Sequence, residues 1–158
     1  MSSWQSKARG LSKTSMADAR IKAILDTSIY IPFVNGGVVH PSLEIDIGKP
    51  VIYLSTVVIA ELYAGAFDNQ SIKLLDKLYK AFYDTQRIVT PTSNDWQTTG
   101  KVVAKLGGKY GFENIFLSRI QNDVLIALSA KQVGASVITN NAKDFLRVKE
   151  FVNFKLIA

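Results

Sequence analysis

The sequence predicts an α/β domain built on a mainly parallel sheet, and three observations predict it. Short apolar runs rich in β-branched residues, at 23–25, 51–54, 87–90 and 135–139, alternate with segments of helical period. Two of those runs lead directly into Ser55 and Asn140, and a third into Asp26-Thr27-Ser28, residue types that cap helices. Their length of three to five residues suits strands buried on both faces, as parallel strands are.

The first run, Ala23-Ile24-Leu25, stops on Asp26 and is followed by Thr27 and Ser28. A strand of this kind delivers its terminal carboxylate to the rim of the sheet, where open α/β folds bind ligands. A helix then opens from a Thr27 or Ser28 cap and is expected to be interrupted at Pro32 and broken by Asn35-Gly36-Gly37. Val38 to Pro50 reads as a loop; its His40 is the only histidine and has no second imidazole to complete a metal site. Val51 to Leu54 forms the second strand, and Ser55 or Thr56 caps a helix through Ala66 that carries Glu61. Taken alone, Glu61 reads as a solvated helix residue; with Asp26 upstream it reads as a second acid reaching the rim.

Ile72, Leu75, Leu78, Tyr79 and Phe82 keep a 3.6-residue period over 71–83, with Lys73, Lys77 and Lys80 on a solvated face. Arg87 to Thr90 is a short strand closed by Pro91. A helix capped within Thr92 to Asp95 is expected to run to Leu106 and to stop at Gly107-Gly108. Asn122-Asp123 opens the most apolar helix, which Gly134 ends. Asp123 there either caps the helix or, set among Val124, Ile126 and Ala127, joins a cation site, because a lone buried carboxylate is costly. After the strand 135–139, a loop from Asn140 to Phe145 returns Asp144 to the same rim, and 151–157 is an edge strand.

The 158 residues, nearly half of them apolar, suit one domain over 21–158, preceded by a flexible basic extension at 1–20 in which Met16 offers an alternative start. The formal charge is +6, but residues 1–22 hold +4 of it, so the charge says little about the domain's partner. The chain has no cysteine, which excludes disulfides, zinc-thiolate sites and a thiol nucleophile and makes the reducing cytoplasm the expected compartment. No apolar run approaches the roughly 20 residues that span a bilayer, so no membrane association is expected.

Four carboxylates returned to one rim, Asp26, Glu61, Asp123 and Asp144, point to Mg²⁺ or Mn²⁺, hard cations that take oxygen ligands and serve phosphodiester hydrolysis. Two other aspartate-based sites fit less well. A phosphoryl-aspartate phosphatase carries a second aspartate two residues after the first, where this chain has Ser28, and a receiver domain pairs acids at the first strand, where Asp26 stands alone.

Four stretches, Ile24-Leu25-Asp26-Thr27-Ser28, Ser55 to Leu62 with Gly65, Asn122-Asp123-Val124-Leu125-Ile126-Ala127, and Thr139 to Phe145, resemble in this order the PIN-domain ribonucleases, and within them the VapC-like toxins of type II toxin–antitoxin pairs. The resemblance spans about Ala23 to Phe151. It implies a three-layer α/β/α sandwich and an acidic pocket of Asp26, Glu61, Asp123 and Asp144 for Mg²⁺ or Mn²⁺. Asp26 and Asp123 are the first choices as direct ligands, and Thr27, Ser28 and Thr139 orient ligands or water. It further implies cytoplasmic endoribonuclease activity, an RNA substrate, an antitoxin that blocks the pocket, and a homodimer. Relatives often carry arginine after Thr139, whereas this chain has Asn140, so no substrate contact carries over from that position. Arg119 and Lys143, close in sequence to two of the acids, are candidates for substrate phosphates. The alternatives are an rRNA-processing or DNA-directed nuclease on the same fold, and an adaptor that keeps the fold without catalysis.

Overall fold

A computed structural model describes residues 21–37 and 50–158. The extension at 1–20, Met16, and the loop with His40 lie outside these residues. In chain order the elements are β1 (Lys22–Leu25), α1 (Thr27–Gly36), β2 (Val51–Ser55), α2 (Thr56–Ala64), α3 (Asn69–Asp84) and β3 (Ile88–Val89). They continue with α4 (Ser93–Tyr110), α5 (Asn114–Val133), β4 (Ser136–Ile138), α6 (Ala142–Val148) and β5 (Lys155–Ile157).

The five strands form one sheet in the order β3-β2-β1-β4-β5, with every neighbouring pair parallel. Ala23, Ile24 and Leu25 of the central strand are all fully buried. Successive strand residues point to opposite faces, so both faces of β1 are covered, as the expected three-layer sandwich requires. The chain steps outward from β1 to β2 and β3, then returns to the other side of β1 for β4. The sheet order therefore reverses between β1 and β4, and in open α/β sheets the crevice for a ligand lies at the carboxyl ends of such strands. Asp26 N donates to the Ile138 carbonyl at 2.9 Å, which holds these two strand ends side by side.

Helix α5 is the core's main helix. Val124, Leu125, Ile126, Ala127, Leu128, Ser129 and Ala130 are buried in succession, and the Ser129 hydroxyl is satisfied by the Leu125 carbonyl at 2.8 Å. It begins at Asn114 rather than at Asn122-Asp123. Half-buried Phe116 and buried Ile120, one turn apart, extend the apolar stripe upstream, so Asp123 sits mid-helix and the capping reading fails.

Three other boundaries differ from expectation for local reasons. Pro32 lies inside α1 without ending it, because the residue is exposed and burial of Ile29 and Tyr30 holds the helix through the missing bond; Gly37, with φ +68°, closes it. Gly107-Gly108 lies within α4, which runs on to Tyr110, because the space a Gly107 side chain would fill is taken by the Phe112 ring. The segment from Ala142 is helical from its start rather than a loop, and places Asp144 in the first turn of α6. Among the described residues no helix is long and apolar enough to cross a membrane.

Ile126 is fully buried among these core groups, so Ile126→Ala is expected to lower unfolding stability by about 2–5 kcal/mol. Urea denaturation measures this, and a loss under about 1 kcal/mol would contradict the packing described.

Candidate metal centre at the β1/β4 switch point

The site is assembled from strand ends and helix starts. Asp26 is the residue after β1 and also the N-cap of α1, a role expected of Thr27 or Ser28. Its Oδ1 accepts from Ser28 N at 2.9 Å, and its Oδ2 accepts from the Ser28 hydroxyl at 3.0 Å and from the Thr139 hydroxyl. A carboxylate outcompetes a hydroxyl as cap because its acceptor is charged and α1's first N–H groups carry positive partial charge.

The two hydroxyls are fixed in turn from across the sheet. Ser28 Oγ accepts from Asn140 N at 3.0 Å, and Thr139 Oγ1 accepts from Asn141 N at 2.9 Å. Each hydroxyl thus donates to Asp26 and accepts from the backbone that follows β4. This clasp joins the two strand ends of the switch point and leaves Asp26, although buried, with three donors.

Glu61 enters from α2, whose N-cap Ser55 is the last residue of β2. Its Oε1 accepts from the Thr27 hydroxyl at 3.0 Å. Burial raises the Glu61 pKa and the charge of Asp26 raises it further, while hydrogen bonds from Thr27 and Asn122 oppose the shift. Asp123 projects from the middle of α5. Its pKa is pushed up from an ordinary 3.8 to about 8, first by burial, then by repulsion from Asp26, Asp144 and Glu61, with Arg119 opposing. The four acids are therefore near enough to feel one another's charge. Burial and the neighbouring carboxylates thus favour the protonated form of Asp123 in the metal-free protein.

Asp144 differs from the others. It is buried, and its Oδ2 pairs with Arg119 Nε at 2.5 Å, while Arg147 Nη1 stands 3.8 Å from its Oδ1. That Oδ1 has no hydrogen-bond partner. Arg147 was not anticipated from sequence, although its position one turn after Asp144 is the signal that could have found it. Lys143, adjacent to Asp144 in sequence, is exposed. Among the described residues, Asp26, Glu61 and Asp123 have no lysine or arginine within ion-pair distance.

A hard divalent cation suits this donor chemistry: all-oxygen ligands, mutual repulsion that a cation relieves, and a buried carboxylate oxygen without a partner. The spacing is less complete. Among the described residues no three acidic, histidine or cysteine side chains are grouped closely enough to hold a metal ion.

The model of the PIN domain family matches residues 23–150. The chain belongs to the PIN-domain family. No curated protein matches it. Among solved structures, this PIN domain is similar to DNA-bound VapBC from Salmonella typhimurium, with a TM-score of 0.61 and 20% identity over 87% of this chain and 97% of that one. It is also similar to VapBC2 from Rickettsia felis bound to a promoter DNA fragment, with a TM-score of 0.58 and 25% identity over 87% and 98%. FitAcB from Neisseria gonorrhoeae gives a TM-score of 0.57 and 18% identity over 86% and 96%. The PIN domain thus has the fold of the VapC-like toxins, and its family supports a nuclease-type function in general.

The raised Asp123 pKa has a defined pH signature. The folded state binds this proton more tightly than the unfolded state, so the contribution of Asp123 to stability falls as pH rises from about 4 to about 8 and levels off above. In chelator, wild type should lose more melting temperature between pH 5 and pH 8 than Asp123→Asn does. Parallel losses in the two proteins would show that Asp123 titrates normally.

Proposed function

We propose that the chain is a divalent-metal-dependent endoribonuclease and the toxin of a toxin–antitoxin pair. The observation that carries the proposal is the shared electrostatics of Asp26, Glu61, Asp123 and Asp144 at the β1/β4 switch point, three of the four having no basic partner among the described residues. Asp26 and Asp123 would hold Mg²⁺ or Mn²⁺ directly, with Glu61 and Asp144 assisting. When bound, such an ion supplies charge neutralisation for a phosphodiester and a nucleophilic water at neutral pH.

The chain's own groups have separable tasks. The Ser28 N–H fixes Asp26 Oδ1 and the Ser28 and Thr139 hydroxyls fix its Oδ2, so this carboxylate presents one orientation without rearrangement. Thr27 does the same for Glu61. Asp123, whose proton is favoured first by burial and then by its acidic neighbours, would release that proton on becoming a ligand, which couples ion binding to pH. Exposed Lys143, next to Asp144 in sequence, would meet a substrate phosphate.

The partners follow the same reading. RNA is the proposed substrate, a cognate antitoxin the proposed regulator and a homodimer the proposed assembly, on the family membership and the VapC-like resemblance of the sequence. A second reading, a PIN-fold adaptor without catalysis, is favoured by one observation: no three acids among the described residues are grouped to hold an ion.

One experiment separates these readings. Purified wild type, incubated with labelled tRNA, ribosomal RNA and single-stranded DNA, should cleave RNA with Mg²⁺ or Mn²⁺ and not with chelator, and Mn²⁺ should raise its melting temperature. Asp26→Asn should abolish cleavage with an unchanged circular dichroism spectrum. Cleavage retained by that variant, or a melting curve indifferent to Mn²⁺ and chelator, would refute the assignment, and cleavage of DNA alone would redirect it to a DNA nuclease.

A further inference from the structure

Asp144 stands between two guanidinium groups that are held very differently. Arg147 lies on the face of the Tyr110 ring at 4.3 Å and near the Phe116 ring at 5.6 Å, and its side chain is 26% exposed. Tyr110 is anchored in turn by its hydroxyl on Glu150, which also pairs with Lys109 at 2.5 Å. Arg147 is thus built into the packing between α4, α5 and α6.

Arg119 is not. Its side chain is 54% exposed, and it is held by its ion pair to Asp144 and by the edge of a weak contact over Phe116 at 5.9 Å. It lies four residues before Asp123 on α5, one helical turn away, so the same cation faces both acids. The pair is made to Asp144 Oδ2, while Oδ1 is buried without a hydrogen bond.

We infer that Arg119 is an exchangeable resident counter-cation: it occupies Asp144 in the metal-free protein and competes with the divalent ion for that carboxylate, thereby setting the site's metal affinity. The inference rests on the metal-binding reading given above. The positive charge of Arg119 near Asp123 and Asp144 opposes a second cation through space, and its ion pair must open before Asp144 Oδ2 can take part. Arg147 remains beside Asp144 when Arg119 leaves, so the buried carboxylate is never stranded. Once released, the half-exposed Arg119 is free to turn to solvent. Arg119 is in these terms a positioning residue that acts through Asp144.

The test is Mn²⁺ binding followed by electron paramagnetic resonance of the free ion, which needs no RNA and no turnover. Arg119→Gln should bind Mn²⁺ about tenfold or more tightly than wild type, because a unit charge within a few ångströms of a divalent ion has been removed. Arg119→Lys, which keeps the charge, should stay nearer to wild type. In an Asp144→Asn background the Arg119→Gln substitution should change affinity by a smaller factor, since the shared partner is gone. Unchanged or weakened Mn²⁺ binding in Arg119→Gln, with wild type binding normally, overturns the inference and leaves the metal site standing. Absence of Mn²⁺ binding to wild type and to Arg119→Gln alike overturns both.

Discussion

Carboxylates of like sign crowded at the end of a sheet repel one another, and a fold that brings them together has to hold them there. Here the holding begins at Asp26. One side chain caps α1, accepts two hydroxyls, and through Ser28 and Thr139 ties the ends of β1 and β4 to each other. Backbone and side-chain bonds act in concert, since Asp26 also donates its own N–H to Ile138. The rest of the site is placed relative to that clasp: Glu61 through Thr27, and Asp123 through the buried run of α5 packed behind it.

The four acids are compensated unevenly, and the unevenness assigns them different roles. Asp26 is satisfied by hydrogen bonds, Asp144 by two arginines, Glu61 by a hydroxyl and an amide, and Asp123 by a proton. Neutral donors orient a carboxylate without cancelling its charge, whereas an ion pair does cancel it. Asp26 and Glu61 are therefore offset by no basic side chain among the described residues, Asp123 is relieved by a proton, and Asp144 is neutralised in part by its arginines.

Much of this was legible in the sequence because local signals and tertiary needs agreed. Strands that are short, apolar and stopped by an acid or a hydroxyl gave the parallel sheet, and Thr92 with Asp95 is indeed a capping box at the start of α4. The disagreements arise where tertiary packing overrides a local rule. Gly107-Gly108 reads as a terminator in isolation, yet it is a notch for Phe112 inside a helix. Asn122-Asp123 reads as a helix start, yet its polar pair marks where the helix passes the pocket, with Phe116 and Ile120 continuing the helix upstream. Hydrogen bonds such as Asn140 N to Ser28, 112 residues apart, and the stacking of Arg147 on Tyr110 have no local signature at all.

The central claim, that these carboxylates form one cation-holding cluster, is tested most directly by counting protons released when Mn²⁺ binds. Titration calorimetry at pH 7 in buffers of differing ionisation enthalpy should show proton release on ion binding in wild type, and markedly less in Asp123→Asn, because the ion displaces the proton that burial and crowding hold on Asp123. Binding without proton release, or release unchanged in the variant, would contradict the account.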